Sequence, residues 1–525
     1  MKIKLIGIAV TTVLLGCKST NTSVDMDRSI TADLDLVDIR DDKVQVVIDP
    51  DVFSLNETVF YLPRIVPGSY AIDDFGKFID DFVAVDYKGN TMEFEKIDEN
   101  SWFIPNAKKL DKVTYWVNDT YDMEGEGGVF SPLGTNISGG ENFMLNLHGF
   151  VGYFKDHEED DYILQIKRPE SLIPGTALRT IDSKKTNGVV TDVFGVDRYF
   201  QVSDNPIMYS RPDTATAFVE GVELLFNVHS PNKVTSAKKL MPGVEKMIRA
   251  QKNFLGEIDN TSKYAILLYL SDKTKPDALG TGALEHHTST VVNLPETMAS
   301  EKMKEVMTDI VSHEFFHILT PLNVHSKEIH YFDYNKPEMS EHLWMYEGVT
   351  EYFANLFQVN QELISEENFY ERIMEKIRTS KRFDDTMPFT IMSKNILQDE
   401  YKDSFYNVYQ KGALIGMALD IRLRELSDGE SGLLELMKRL SSKYGKNNPF
   451  EDEDLIGEIV DMTHPDIQDF FDTYVSGTTP IPYDDFFNKV GLKITQVEKE
   501  TEYFKDGKMP YINAEIGSEE LFFLK

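Results

Sequence analysis

The stretch His313-Glu314-Phe315-Phe316-His317 constrains this chain more than any other. Two imidazoles four residues apart can reach one ion only if the segment is helical, because an α-helix brings positions i and i+4 together within about one turn, whereas a strand puts them on one face but roughly 13 Å apart. The surrounding sequence agrees: Val306, Ile310, His313 and His317 follow one another at spacings of four, three and four. Both rings can then reach one ion. Chance would give an H-E-x-x-H pattern about two times in a hundred in a chain of this composition, so the pattern gains weight only with a third ligand. Without one, the pair reads as core histidines satisfied by hydrogen bonds.

A third ligand is offered by "SEHLWMYEGVTEYFANLF", Ser340 to Phe357. Its apolar positions fit a second amphipathic helix, with Ser340 as the cap and Glu341 in the first turn. Glu347 lies on or near the buried face, and a buried carboxylate needs a partner. Zinc held by two histidines and a glutamate keeps one position open for water. Glu314, directly after the first histidine, is placed to take that water's proton. Glu351 is either a partner for a ligand histidine or an exposed helical glutamate.

With 525 residues the chain exceeds one ordinary core, and two or three domains are expected. A formal net charge of −34 leaves no basic excess to neutralise phosphates, which excludes nucleic acid as a partner. The acidic run Asp156–Asp161 reads as a solvated loop rather than a calcium site. The single cysteine, Cys17, closes a basic and then apolar opening, "MKIKLIGIAVTTVLLGC", too short to span a bilayer. This resembles a bacterial lipoprotein signal, whose cysteine is lipidated and becomes the first mature residue; the alternative is an ordinary signal peptide. The resemblance implies a lipid anchor in a membrane of the bacterial cell envelope, facing the periplasm or the cell surface. No other cysteine is present for disulfides or thiolate ligands, so any metal must be held by histidines and carboxylates.

Residues 1–17 are therefore read as signal and 18–31 as a flexible tether. From 32 to 231 short alternating segments such as "KVQVVID", "KVTYWVN" and "VELLFNVH" predict an all-β, sandwich-like domain. From 232 to 490 the pattern turns mainly helical around one buried-type strand, "KYAILLYLS", with a long helix interrupted or started at Pro242. Residues 491–525 form a short extension.

The combination of "HEFFH" with "LWMYEG" resembles the gluzincin zinc metallopeptidases. Three further stretches narrow the resemblance to the glycyl aminopeptidase family, metallopeptidase family sixty-one: "LPRIVPGSYAIDDFG" at Leu62–Gly76, "GTGALEHHTST" at Gly280–Thr290, and "YQKGALIGMALDIRLRE" at Tyr409–Glu425. The resemblance spans roughly residues 40 to 490. It implies a thermolysin-like α+β catalytic domain behind the β domain. It further implies one zinc per chain on His313, His317 and Glu347, with Glu314 as base. Peptides would be the substrates, with small first residues such as Gly or Ala favoured. By the same resemblance Glu285 anchors the substrate's free amine and Tyr409 donates its hydroxyl to the oxyanion. Read without it, Glu285 is a strand carboxylate and Tyr409 a core tyrosine.

"KYAILLYLS" and "GALEHHTSTVVNL" read as adjacent strands whose edge can pair with an extended peptide. His286 and His287, being neighbours on a strand, face opposite sides, and both are left out of the metal shell. The chain departs from the family after His317, where "ILTPLNVHSKEIH" has Pro321 ending the helix; His325 and His330 there are expected at the surface or behind the ligands. Many members carry a PDZ domain near the C-terminus, and the extension is too short for a complete one. The alternatives to an aminopeptidase are a zinc endopeptidase and a non-catalytic peptide-binding surface lipoprotein. An intact Glu314 speaks against the second.

Overall fold

Alternation of buried and exposed residues builds the N-terminal half. In Lys43–Asp49 the side chains of Val44, Val46 and Ile48 turn inward, as Val113, Tyr115 and Val117 do in Leu110–Asn118, which is the signature of a sheet with one covered face. The computed structural model describes residues 29–498 apart from 124–127, 257, 259 and 260, and three further strands, Tyr503–Asp506, Met509–Asn513 and Ser518–Leu524. Cys17 and nearly all of the expected tether lie outside the described residues.

Seven strands form one sheet, with Ile30–Arg40 at its centre between Lys43–Asp49 and Tyr162–Pro169. A four-stranded sheet containing Glu57–Tyr61 and Ser101–Pro105 covers its inner face. Phe60 meets Tyr115 across the gap, with ring centroids 5.7 Å apart. A second four-stranded sheet includes Asn142–Leu145 and Ile207–Ser210. This is the expected sandwich-like β domain.

A five-stranded sheet opens the second half, in the order Thr214–Val219, Val222–His229, Lys263–Ser271, Ser289–Pro295, Gly282–His286. Val222–His229, which alternation alone groups with the preceding strands, pairs in parallel with Lys263–Ser271. The change of sheet thus falls between Ser210 and Thr214, ahead of the change in sequence character near residue 232. Gly282–His286 lies at the sheet edge, antiparallel to Ser289–Pro295. Against the sheet pack Ala237–Leu255, which continues through Pro242, and Ser300–Phe316, where Phe315 meets Tyr264 at 5.1 Å. The remaining long helices are Thr350–Asn360, Glu366–Ser380, Asn407–Leu426 and Leu433–Lys443. The molecule is thus a β-rich domain followed by a mainly helical α+β one. Beyond residue 491, Leu492–Glu498 pairs with Ser518–Leu524, and Tyr503–Asp506 with Met509–Asn513. Among the described residues no helix is long and apolar enough to cross a membrane.

Candidate active site

The helix Ser300–Phe316 delivers both histidines of the HEFFH stretch, His313 within it and His317 as its C-terminal cap. It stops before Pro321 because its last turn tightens: Ile318 N–H donates to Phe315 O and Leu319 N–H to Phe316 O, i to i−3 bonds that do not continue an α-helix. The segment carrying Glu347 also departs from the simple helix expected of it. Trp344–Val349 is a π-helical turn, and the α-helix proper begins at Thr350. Ser340 is not its cap; its hydroxyl instead donates to Asp452. Such wide turns re-aim side chains and recur at functional sites.

These local departures bring three donors together. The Nε2 of His313 lies 3.2 Å from Glu347 Oε2, and the Nε2 of His317 lies 3.7 Å from the same oxygen. All three residues are buried. Each Nδ1 is occupied from behind, that of His313 by Glu351 Oε2 at 2.8 Å and that of His317 by the carbonyl of Thr320 at 3.0 Å. This fixes the tautomer that leaves Nε2 facing Glu347. Glu351 is therefore a partner of His313 rather than an exposed glutamate, and Lys376 Nζ donates to its other oxygen at 2.6 Å.

Glu314 and Glu285 border this group. One oxygen of each and a ring nitrogen of His317 lie within 4.8 Å of one another. Glu314 Oε2 is buried with no hydrogen-bond partner among the described residues. Burial pushes the Glu314 carboxyl up to about 8; His313 pulls it down, and the charges of Glu347 and Glu351 add to the rise. Glu285 is held well above the usual carboxylate range by burial, then by Glu347 and Glu314. Burial opposes charge on His313, but its bonds to Glu347 and Glu351 prevail and raise it. His317 is pulled by burial down to about 4 and stays a neutral donor.

Two buried imidazoles, three crowded carboxylates and one unpartnered carboxylate oxygen fit a divalent cation, which would relieve the repulsion raising Glu285 and Glu314. A His, His, Glu set suits zinc. No other residues are needed: His313 and His317 would bind through Nε2, Glu347 through a carboxylate oxygen.

Tyr409 reaches the group from the helix Asn407–Leu426, its ring 5.6 Å from that of His313. Burial, then Glu347, Glu285 and Glu314, keep its phenol protonated and hence a donor. The approach is set by glycines: a Cβ on Gly348 would lie 2.5 Å from the backbone of Gly412. The Lys411-Gly412 pair after Tyr409 thus lets its helix close onto the π-turn.

One contributor was not legible as such. Tyr70, in the Pro-Gly-Ser-Tyr stretch of the β domain, donates its hydroxyl to Glu347 Oε1 at 2.9 Å from 277 residues away. Gly68 lies against Glu285, whose Oε1 would sit 2.7 Å from a Cβ added there. The sequence signal is the family resemblance of the Leu62–Gly76 stretch, which assigns Tyr70 no role. The remaining histidines stay outside the group. His286 and His287 do not face opposite sides as expected, because the strand ends at His286 and His287 lies in the turn after it; both face Asp204, with His287 Nδ1 3.0 Å from its Oδ2, and together hold that buried carboxylate ionised against the cost of burial. His325 is buried rather than at the surface, stacked on His330 with its Nε2 2.9 Å from His330 Nδ1.

Two family models match this chain, the Peptidase M61 N-terminal domain over residues 31–211 and M61 glycyl aminopeptidase over residues 306–415. The chain belongs to the M61 glycyl aminopeptidase family. The second match contains His313, Glu314, His317, Glu347 and Tyr409, and the first contains Tyr70. This M61 chain is therefore a peptidase. Among solved structures it is similar to an aminopeptidase N family protein from Idiomarina loihiensis, with a TM-score of 0.75 at 20% identity, over 89% of this chain and 79% of that one. It is also similar to an M1 zinc metallopeptidase from Deinococcus radiodurans, with a TM-score of 0.53 at 14% identity, over 87% of this chain and 96% of that one. A third likeness is to Legionella pneumophila aminopeptidase A in complex with aspartic acid, TM-score 0.54 at 14% identity, over 90% of this chain and 50% of that one. At such identities the likeness is one of fold. No curated protein sequence matches this M61 chain.

Proposed function

We propose that this M61 peptidase is a zinc-dependent aminopeptidase that removes small first residues, Gly or Ala, from peptides. The observation that carries this reading is the convergence of His313 Nε2 and His317 Nε2 on Glu347 Oε2, with the free Glu314 Oε2 and Glu285 alongside. Zinc in such a set supplies Lewis acidity, polarising a carbonyl and acidifying water. Glu314 accepts the proton of the attacking water and returns it to the leaving amine. Tyr409 donates to the carbonyl oxygen as its negative charge grows. The edge strand Gly282–His286 pairs with the peptide backbone, and Glu285 receives its protonated amine.

Two observations support an exopeptidase over an endopeptidase. Glu285 is a carboxylate that a neighbouring cation would return to its ionised form, and Gly68 lies against it where further residues upstream would have to pass. The preference for small first residues rests on the family resemblance. The test compares a free peptide with its N-acetylated form. Acetylation removes the charge Glu285 recognises and should abolish cleavage; equal cutting of both, or internal cuts in a longer chain, would favour the endopeptidase.

The opening sequence supports a lipid anchor at Cys17 in the bacterial cell envelope. Cys17→Ser should release the protein from membranes, and a mature chain without lipid by mass spectrometry would reject the anchor.

A further inference from the structure

Glu347 has its two oxygens divided between two directions. Oε2 faces His313 and His317, while Oε1 accepts the Tyr70 hydroxyl at 2.9 Å. The terminal torsion of a glutamate is broad and roughly two-fold, so a carboxylate held at one oxygen alone can swing out of line. A partner that orients a ligand typically changes metal affinity as much as tenfold to a hundredfold.

Three features indicate that Tyr70 is placed for this bond. Its backbone has φ of +47°, and it is the only aromatic among the non-glycine residues with positive φ in the described chain; that conformation is costly for a bulky side chain. The loop is also pinned to the catalytic half, since Arg64 N–H and Ile65 N–H both donate to Tyr334 O at 2.9 and 3.1 Å. Finally, the ring rests on Phe405 at 5.2 Å, and Phe405 in turn meets Tyr409 at 5.6 Å. Phenylalanine would satisfy that packing equally well, which leaves the hydroxyl to be explained by Glu347.

We infer that Tyr70 is a positioning residue for the metal site: the β domain fixes the rotation of Glu347 through this phenol, so metal retention depends on how the two halves are docked. The inference rests on reading His313, His317 and Glu347 as the zinc ligands.

Tyr70→Phe in the full chain tests it, because the ring and its packing remain. Zinc affinity, measured by competition with a chromophoric chelator, should fall about 10- to 100-fold, while the melting temperature of the zinc-free protein stays that of wild type. At saturating zinc kcat should fall with KM unchanged. In a Glu347→Ala background the same substitution should no longer alter zinc affinity, since Tyr70 acts through Glu347. Affinity within about twofold of wild type, or an equal loss in the Glu347→Ala background, overturns the inference. A wild-type chain that takes up no zinc would overturn the ligand assignment instead, and that control distinguishes the two failures.

Discussion

Glu314 offers a test at the level of single atoms, because one of its oxygens is buried and unpartnered. Glu314→Gln keeps the size of the side chain and removes the proton acceptor. Its kcat should drop by about 10²- to 10⁴-fold with zinc content unchanged by elemental analysis; turnover near wild type would remove Glu314 from the mechanism. His317→Ala should instead lose stoichiometric zinc. Asp73 gives a test of stability. Burial pushes its carboxyl up to about 7, against the pull of Ser69 and Lys77. Because the folded value lies above the unfolded one, the ionised form destabilises the fold, progressively as pH rises from about 4 to 7 and fully above that. Asp73→Asn should therefore raise the melting temperature at pH 8 and leave it nearly unchanged at pH 3.5. Spacing made His313 and His317 legible as a pair on one helical face with Glu314 beside them, and periodicity put Glu347 near a buried face, because these are local properties of the segments that carry them. Nothing local could announce Tyr70, whose partner is set by how the two halves dock.

At the scale of elements, the strands and helices followed from their alternation and period, while the turns that aim the site did not. The segment Trp344–Val349 has the apolar spacing of an ordinary α-helix, yet it is π-helical where it packs against Asn407–Leu426. The pair Gly348 and Gly412 sets that approach. Gly348→Ala would drive a methyl into the Gly412 backbone, and overpacking of this kind costs about 1–3 kcal/mol or more. The expected result is a lower denaturation midpoint together with a loss of kcat, since Tyr409 moves with its helix; a midpoint equal to wild type would mean that the contact is loose. Gly68→Ala acts at the other end of the cleft. With φ at +84° and Glu285 Oε1 2.7 Å from the new Cβ, it should raise KM for peptides with a free amine and spare zinc content.

Across the whole molecule, the β domain and the helical half meet through rings and backbone together. Tyr334 packs on Tyr153 and Tyr199 at 5.7 and 5.1 Å while its carbonyl holds the loop that carries Tyr70. Tyr334→Ala should cost about 3–5 kcal/mol, as for other large buried rings, and lower activity by more than the loss of stability explains. Unchanged activity in the folded fraction would show that the loop is held in other ways. The residues around the metal group are spread along the chain, from Tyr70 through Glu285, His313 and Glu347 to Tyr409. A chain made from its N-terminus folds its first domain early, but that domain supplies only the loop with Gly68 and the Tyr70 phenol. No fragment ending before Tyr409 has every part of the cleft, so a half-made enzyme emerging among other nascent proteins has nothing to cut them with.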